Sequence, residues 1–171
     1  MIKNSKETLI SGWGGYPTQR TNMVYPKNIE QIQNEIKKSD LIARGNGRAY
    51  GDSSINEKNT ISMKYFDHIL SFDDSSGILV AESGILLEDV INTFLPRGWF
   101  PYVTPGSKFT SIGGLIAADV HGKNHHKEGS FRNFVDWFEL INSKGEIKRC
   151  SKNENTELFE WTIGGMGLTG V

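Results

Sequence analysis

The residues with the clearest capacity for chemistry lie in the segment 41–54, LIARGNGRAYGDSS. It begins as a short apolar strand and continues as a glycine-rich loop that contains Arg44 and Arg48. Glycine permits positive φ and lets a ligand approach the main chain, so several backbone N–H groups can converge on one anion. A guanidinium fork suits a phosphate or diphosphate. The segment therefore predicts a site for a nucleotide-type ligand.

Two common phosphate-binding loops do not match the chain. The dinucleotide fingerprint G-x-G-x-x-G requires a glycine where this chain has Tyr50, and residues 52–59, DSSINEKN, have the composition of a turn rather than of a helix. A Walker A loop also fails, because Gly122 and Lys123 are followed by Asn124 instead of serine or threonine. The residues alone leave the nucleotide open.

A second concentration of reactive side chains is the segment 120–130, VHGKNHHKEGS, which holds three of the four histidines. One interpretation is a polar surface loop. Another is a metal site with His121 and His125 as ligands, although the glycine and asparagine between them disfavour the helix that would align them. A third interpretation assigns His121 and Lys123 to a cofactor pocket and depends on the resemblance described below.

Short strands and helices must position these groups. Asn28 and Gln31 have the spacing of a helix N-cap and its partner. We expect a loop at 12–20, strands at 23–25, 41–43, 60–63, 66–72, 78–82, 135–142 and 146–150, and helices at 28–39, 86–95, 110–118 and 156–163. Strict βαβ alternation is missing, which favours an α+β fold. Residues 168–171 resemble the start of a further strand, so we expect a part of a larger protein.

Composition limits the function classes. The 171 residues suit one domain, or one domain divided into two lobes. A net charge of −1 gives no general attraction to nucleic acid. No segment approaches the ~20 apolar residues of a transmembrane helix, and the single cysteine, Cys150, fits a reducing compartment. We expect a cytoplasmic protein with no nucleic-acid partner and no transmembrane segment, and leave peripheral membrane attachment open.

Three segments carry a family resemblance: RGNGRAYGD at 44–52, PGSKFTSIGGLIAADVHGKNHHKEGSF at 105–131 and ELFEWTIGGMGLTG at 157–170. Together they resemble the flavin-binding domain of the vanillyl-alcohol-oxidase and p-cresol-methylhydroxylase type, in particular the decaprenylphosphoryl-β-D-ribose 2-oxidase group. The resemblance runs in order from about residue 13 to residue 171. It implies an α+β fold of two small lobes, with mixed parallel and antiparallel sheets and flanking helices, that hold FAD between them. It also implies that residues 1–171 are the FAD-binding domain of a larger enzyme, whose substrate domain follows.

Residue by residue, the resemblance assigns three sets of cofactor-binding residues. The diphosphate loop comprises Arg44, Gly45, Asn46, Gly47, Arg48, Ala49, Tyr50, Gly51, Asp52 and Ser53. The flavin and its phosphates lie along Gly106, Ser111, Ile112, Gly113 and Gly114, and the ring system lies beside Ala118, Asp119, Val120 and His121. As catalytic residues, His121 and Lys123 would face the isoalloxazine and the substrate. Adjacent glycines cost a helix about 1 kcal/mol each, which a cofactor packed on that backbone would explain; close helix–sheet packing is the alternative.

The resemblance also implies the chemistry. Arg48 takes the position of a flavin-tethering histidine in related alditol oxidases, so we expect non-covalent FAD. The expected reaction oxidises a CH–OH group of a sugar or polyol, with hydride transfer to flavin N5, and the 2-hydroxyl of a lipid-phosphoryl pentose is one candidate. The domain alone is expected to be inactive, and the electron acceptor and the general base are not identified. A non-catalytic nucleotide or phosphate-binding module and a metal-dependent hydrolase are the alternatives.

The remaining aromatic, acidic and sulfur-containing residues receive structural interpretations. We expect core or lobe packing for Phe94, Trp99, Phe100, Trp137, Phe138, Phe159 and Trp161. Trp13 and Tyr16 lie in a glycine-rich loop that resembles part of a substrate-side wall. Asp136 and Glu139 suggest a solvated face, His68 a structural role, and Cys150 a small core residue.

Overall fold

The structure is a computed structural model that describes residues 5–171. In chain order its elements are β1 (Ser5–Ser11), β2 (Thr18–Val24), α1 (Ile29–Ile36), β3 (Leu41–Arg44), β4 (Asn59–Ser62), β5 (Ile69–Asp73), β6 (Ile78–Ala81), α2 (Leu87–Phe94), a 3₁₀ turn (Leu95–Arg97), α3 (Ile112–Ala117), α4 (His125–Glu128), a second 3₁₀ turn (Phe131–Phe134), β7 (Trp137–Ile141), β8 (Ile147–Ser151) and α5 (Thr156–Thr162).

The first lobe is a four-stranded sheet in the order β1-β2-β4-β3, with α1 packed on it. β1 and β2 are antiparallel, whereas β4 pairs in parallel with both β2 and β3. The predicted cap of α1 is confirmed, because Asn28 Oδ1 accepts a hydrogen bond from Gln31 N at 2.9 Å. Ile32 and Ile61 are almost fully buried between the helix and the sheet. Since β3 and β4 are parallel, the segments that follow them leave the sheet at the same edge.

The second lobe contains two antiparallel hairpins, β5–β6 and β7–β8, each with a helix packed on it, and Ile141 of β7 also packs in the core of the first lobe. On α2, Leu87, Val90 and Phe94 are buried at helical spacing. On α5, Phe159 is fully buried beside Cys150 of β8, which confirms Cys150 as a core residue. Helix α3 lies between the hairpins and the first lobe, and its side chains reach both hairpin cores. The predicted α+β class with mixed sheets is therefore confirmed.

Several element predictions are wrong at their edges. The predicted loop 12–20 includes the first residues of β2, and β1 was not predicted, because the alternation in SKETLIS is weak and this strand is fixed by its seven-residue register with β2. β5 begins only at Ile69. Helix α4 was also not predicted. Residues 168–171 are not a strand, although Val171 exchanges two backbone hydrogen bonds with Ile141.

Two aromatic predictions are also wrong. Trp161 and Phe100 were expected in the core but are 69% and 55% exposed. Trp161 lies on α5, where the fully buried Phe159 occupies the inner face two residues earlier, and a helix turns that face outward over such a spacing. Within residues 5–171, no helix is both long enough and apolar enough to cross a membrane.

Candidate functional site

A cleft of about 250 Å³ lies between the two lobes, and three glycine-containing segments line it. They are the loop after β3, the start of α3 and the segment after α5. Of the predicted cofactor-binding residues, those that line the cleft are Gly45, Asn46, Gly47, Arg48, Ala49, Ser53, Ser111, Gly113, Gly114, Ala118 and Val120. The predicted residues outside its lining are Arg44, Tyr50, Gly51, Asp52, Gly106, Ile112, Asp119, His121 and Lys123.

The loop after β3, residues 45–54, offers unused backbone donors. None of its N–H groups donates a hydrogen bond to another group in the described part of the chain. Elsewhere in the structure, turns and helix ends pair most such groups, as at Ile55, whose N–H donates to Asp52 O at 2.9 Å. A run of unpaired backbone donors beside a cleft is a suitable arrangement for binding an anion.

The side chain of Arg44 supports this loop instead of pointing a free fork at a ligand. Its guanidinium donates to Ser11 O at 2.7 Å and to Ser54 Oγ at 3.1 Å, so it joins the end of β1 to the end of the loop. Burial lowers the pKa of Arg44 from its ordinary value. Gly47 has φ +65°, and a Cβ there would collide with this guanidinium. The sequence predicted that Arg44 belongs to the loop that holds a diphosphate, and in the structure its guanidinium donates to protein acceptors.

The start of α3 presses against the same loop. A Cβ on Gly45 would collide with Ser111 Oγ, so only glycine allows this approach. Ser111 caps α3 by accepting from Gly114 N at 3.3 Å, and the N–H of Gly113 donates to Ser83 O at 2.8 Å. The first N–H groups of α3 are therefore already paired within the protein. The start of α3 therefore shapes the cleft but does not offer it free backbone N–H donors.

The adjacent glycines of α3 face different neighbours. A Cβ on Gly113 would lie 2.9 Å from Ser83 Cβ, which is close packing against the segment after β6. A Cβ on Gly114 would meet only Ser111 Oγ, at 3.1 Å, and would otherwise point into the cleft. Helix–sheet packing, the alternative raised for both, thus explains Gly113. Gly114 leaves room that a ligand can use.

The segment after α5 completes the cleft by attaching to α3. The N–H of Gly164 donates to Ile116 O at 3.0 Å, and the N–H of Met166 donates to Ala117 O at 2.8 Å. Thr162 Oγ1 also donates to Thr169 Oγ1 at 2.9 Å across the base of this segment. These bonds fix the segment in which Gly167 and Gly170 line the cleft together with the loop after β3.

Comparison with known proteins identifies the family. A family model described as a FAD binding domain matches residues 21–151. The chain belongs to this FAD-binding domain family. It is 33% identical over 170 residues to "Decaprenylphosphoryl-beta-D-ribose oxidase" of Mycolicibacterium smegmatis, covering 95% of this chain and 37% of that protein.

Other relatives extend the comparison. The domain is 26% identical over 188 residues to "D-arabinono-1,4-lactone oxidase" of Candida albicans, covering 98% of this chain and 33% of the relative. It is 28% identical over 155 residues to mitochondrial "D-2-hydroxyglutarate dehydrogenase" of Rattus norvegicus, covering 85% and 29%. The chain thus spans about a third of the length of these relatives.

In this FAD-binding domain, Asp119 holds the bend after α3 through Arg132. Asp119 has φ +42°, which is strained for a non-glycine residue. Its carboxylate accepts from Arg132 N at 3.0 Å and from Arg132 Nε at 3.4 Å. The same guanidinium pairs with Glu160 and donates to Ile163 O at 2.8 Å. Arg132 therefore connects the bend that carries Val120 to the end of α5.

The predicted catalytic residues lie beyond that bend. His121 and Lys123 are exposed and follow Val120, which lines the cleft. The rings of His121 and His125 are edge-to-face with centroids 5.1 Å apart, and both Nδ1 atoms lie within hydrogen-bond distance of Gly122 O. The structure thus brings these histidines together outside the cleft lining, and a catalytic role for His121 and Lys123 stays a prediction.

The metal interpretation of these histidines receives no third ligand. Within residues 5–171, the one group of three metal-ligating side chains whose ligand atoms converge is Asp67, His68 and Glu82, which lies at the β5–β6 hairpin. There His68 Nδ1 is 2.7 Å from Glu82 Oε2, and this hydrogen bond raises the pKa of His68. An exposed ion pair of this kind agrees with the structural role predicted for His68.

Sequence reasoning missed part of the cleft wall. Met63, Ser83, Phe138, Leu140 and Thr162 line the cleft and were not among the predicted site residues. Phe138 and Leu140 belong to β7 and Thr162 to α5, whereas Met63 and Ser83 follow β4 and β6, and none of these residue types carries a functional signal. They could have been found only by knowing that the carboxyl end of β4 and the face of β7 meet across the cleft.

Proposed function

We propose that the cleft binds FAD without a covalent bond, and that this domain serves an enzyme that oxidises a CH–OH group of a sugar or polyol. The observation that carries the proposal is the pairing of opposite walls in one cleft. One wall is the loop of residues 45–54, whose backbone N–H groups have no hydrogen-bond acceptor within residues 5–171. The other wall includes Gly114, where a side chain would fill the space. An elongated ligand that contains a diphosphate needs hydrogen-bond donors on one side of the cleft and backbone without bulky side chains on the other side.

The residues fit FAD in separate ways. Backbone N–H groups of the loop would hold the diphosphate, since an anion gains most from several convergent donors. Gly114 and Ala118 would pack along the flavin, because α3 presents little side-chain volume there. Phe138 and Leu140 would exclude water from the far wall of the cleft. When bound, the flavin supplies hydride acceptance.

His121 and Lys123 would act at the side of the cleft that substrate reaches. Both are exposed and are connected to the cleft through Val120. A protonated Lys123 would attract an electron-rich oxygen of the substrate, and His121 would orient a hydroxyl group by a hydrogen bond. Support for this position is the anchoring of the preceding bend by Asp119 and Arg132. The substrate domain is proposed to lie in the part of the protein that corresponds to the unmatched length of the relatives.

The names of the relatives support the substrate class. Two are named as oxidases, one of a decaprenylphosphoryl ribose and one of an arabinonolactone, and the third as a dehydrogenase of a hydroxy acid. Sugar-derived or hydroxylated compounds are common to all three names. The 2-hydroxyl of a lipid-phosphoryl pentose is the specific candidate from the first name, and a neutral sugar alcohol is its competitor. The proposed setting is the cytoplasm, in agreement with a single, buried and unpaired Cys150.

Non-covalent binding is supported by the chemistry of Arg48 and by the burial of Cys150. Arg48, which lines the cleft, cannot form the bond that a histidine forms with flavin. Cys150 is fully buried among Phe159 and its neighbours, and burial raises the pKa of its thiol, which disfavours the reactive thiolate. Neither side chain is therefore available as a tether.

The test is the flavin content of the purified protein after incubation with FAD and gel filtration. We expect about one flavin per chain by absorbance, and complete release of the flavin into the supernatant on acid precipitation. Flavin that stays with the precipitate would contradict non-covalent binding. A colourless protein that binds ADP and inorganic diphosphate but no flavin would instead identify a nucleotide-binding module and reject the oxidoreductase.

A further inference from the structure

Arg48 lines the cleft and contacts two exposed aromatic rings, and we call Trp13, Arg48 and Phe109 the rim. Arg48 Cζ is 4.1 Å from the centroid of the Trp13 ring and 5.6 Å from that of Phe109. The two aromatic residues are 53% and 40% exposed. A guanidinium that stacks on an aromatic face keeps the N–H groups of its edge free for hydrogen bonds. The rim therefore holds the cation in place without using its donors.

The donors of Arg48 have no acceptor within residues 5–171. Nε is buried and lacks a hydrogen-bond partner, and the side chain forms no ion pair in this part of the chain. Arg97 shows the contrast, because it also contacts aromatic rings but donates to the Asp74 carboxylate at 2.9 Å. Buried donors are paired in the great majority of cases, so an unpaired donor on a residue that lines a cleft points to an acceptor supplied by a ligand.

The backbone holds the rim together. Trp13 N donates to Ala49 O at 2.8 Å, and a Cβ on Gly12 would collide with the carbonyl of Gly51, so only glycine lets this segment close on the loop. On the other side, Asn46 Nδ2 donates to Phe109 O at 2.9 Å. Both ring-bearing segments are thus attached to the loop that carries Arg48. The position of the guanidinium follows from the fold and not from one freely rotating side chain.

We infer that Arg48 binds an oxyanion of the substrate, a carboxylate or phosphoryl group, at the rim of the cleft. The inference rests on the proposed function. FAD also contains phosphoryl groups, but its diphosphate is already provided with the backbone donors of residues 45–54. Arg48 stands beside exposed rings, where a second molecule can reach it. Its planar fork matches two oxygens of one oxyanion, so the rim would select anionic substrates over neutral polyols.

The test titrates ¹⁵N-labelled protein, with and without FAD, with inorganic phosphate and separately with acetate. The Arg48 Nε–H resonance, assigned by its loss in Arg48→Gln, is expected to shift saturably in the FAD-loaded protein. By calorimetry, Arg48→Gln should weaken phosphate binding to the FAD-loaded protein about tenfold or more. Arg149→Gln is the matched control, because Arg149 also stacks on a ring, that of Trp137 at 4.0 Å, but is exposed and lies outside the cleft lining. Its phosphate affinity should equal that of the parent protein.

Several outcomes would overturn the inference. In one such outcome, FAD displaces the bound phosphate, and Arg48→Gln weakens the binding of FAD about tenfold but not the binding of riboflavin, which lacks phosphate. Arg48 would then bind the cofactor and not the substrate. An absence of any shift with both anions, or an equal loss in Arg149→Gln, would also overturn it. If the parent protein takes up no FAD, the proposed function fails. The titration of the flavin-free protein then still decides whether Arg48 binds an oxyanion.

Discussion

Arg44 and Arg48 stand four residues apart, Arg44 at the inner end of the segment as the last residue of β3 and Arg48 at its outer end in the loop that follows, yet these two ends differ in what they leave for a ligand. At the inner end, Arg44 donates to Ser11 and Ser54 and is used by the fold. At the outer end, Arg48 lies against aromatic rings, and its buried Nε has no hydrogen-bond partner in the described part of the chain. Two identical side chains in one motif thus have different roles: Arg44 stabilises the site, and Arg48 is left to contact a ligand.

The same division separates the adjacent glycines of α3. Gly113 is needed because the helix packs on Ser83, whereas Gly114 faces the cleft. A substitution at a residue that the fold uses, Arg44 or Gly113, should therefore change stability. A substitution at a residue that faces the cleft, Arg48 or Gly114, should change ligand binding. Each of the following predictions tests one part of this division.

The largest expected effect is at the inner arginine. Arg44→Met should lower the free energy of unfolding by about 3 kcal/mol, because carbonyl and hydroxyl acceptors lose their charged donor. Arg48→Met should change it by less than about 1 kcal/mol, the scale of an exposed cation–π contact. Urea denaturation followed by circular dichroism measures both. Equal destabilisation by the two substitutions would contradict the proposed difference between Arg44 and Arg48.

The glycine pair sharpens the comparison on the opposite wall. Gly114→Val should leave a folded protein and weaken FAD binding about 5- to 100-fold, since forcing extra volume into a packed space costs about 1–3 kcal/mol. Gly113→Val is the matched control and should lower the melting temperature instead, because its Cβ meets Ser83. Fluorescence titration with FAD and a thermal scan give the two readouts. An unchanged FAD affinity in Gly114→Val would show that the cofactor does not pack on this turn.

A smaller effect is expected at the bend before the histidines. Arg132→Gln should lower the free energy of unfolding by about 1–2 kcal/mol, because Asp119 and the carbonyl of Ile163 lose a charged donor that is partly exposed. Since Arg132 does not line the cleft, any loss of FAD affinity should be restored when the variant is assayed well below its melting temperature. A loss of FAD affinity that persists well below the melting temperature would mean that Arg132 contributes directly to FAD binding.

The smallest effect belongs to His68 and Glu82, a pair outside the cleft lining. The hydrogen bond to Glu82 raises the pKa of His68 in the folded state. The stabilisation is therefore complete below the unfolded pKa of about 6.5 and is lost as pH rises through the higher folded value. The melting temperature of the parent protein minus that of His68→Gln should fall from pH about 5.5 to about 8. A difference that grows with pH would mean that the pair prefers neutral histidine.

Local signals made much of the fold predictable from the sequence. The Asn28 cap, the apolar start of β3 and the turn between β5 and β6 each depend on residues close in sequence, and the structure confirms them. β1 could not be predicted, because its place depends on pairing with β2 across a loop. Exposure of Trp161 likewise depends on which face of α5 is inside.

The candidate site divides in the same way. Glycine and arginine types predicted an anion site in the loop after β3, since they describe what a backbone can offer locally. Their individual roles were not predictable. Arg44 is occupied by Ser11, 33 residues away in sequence, and Arg48 meets Trp13 only after β1 has been placed on the sheet. Long-range contacts of this kind decide which member of a motif is left for the ligand.

The most direct measurement of the central claim is hydrogen–deuterium exchange of the backbone amides with and without FAD. If one cleft holds the cofactor, FAD should slow exchange in three separated segments at once: 45–54, 112–118 and 164–170. The turn between β5 and β6 should not change. Protection confined to one of these segments, or absent from the loop 45–54, would contradict a cofactor held jointly by the three walls.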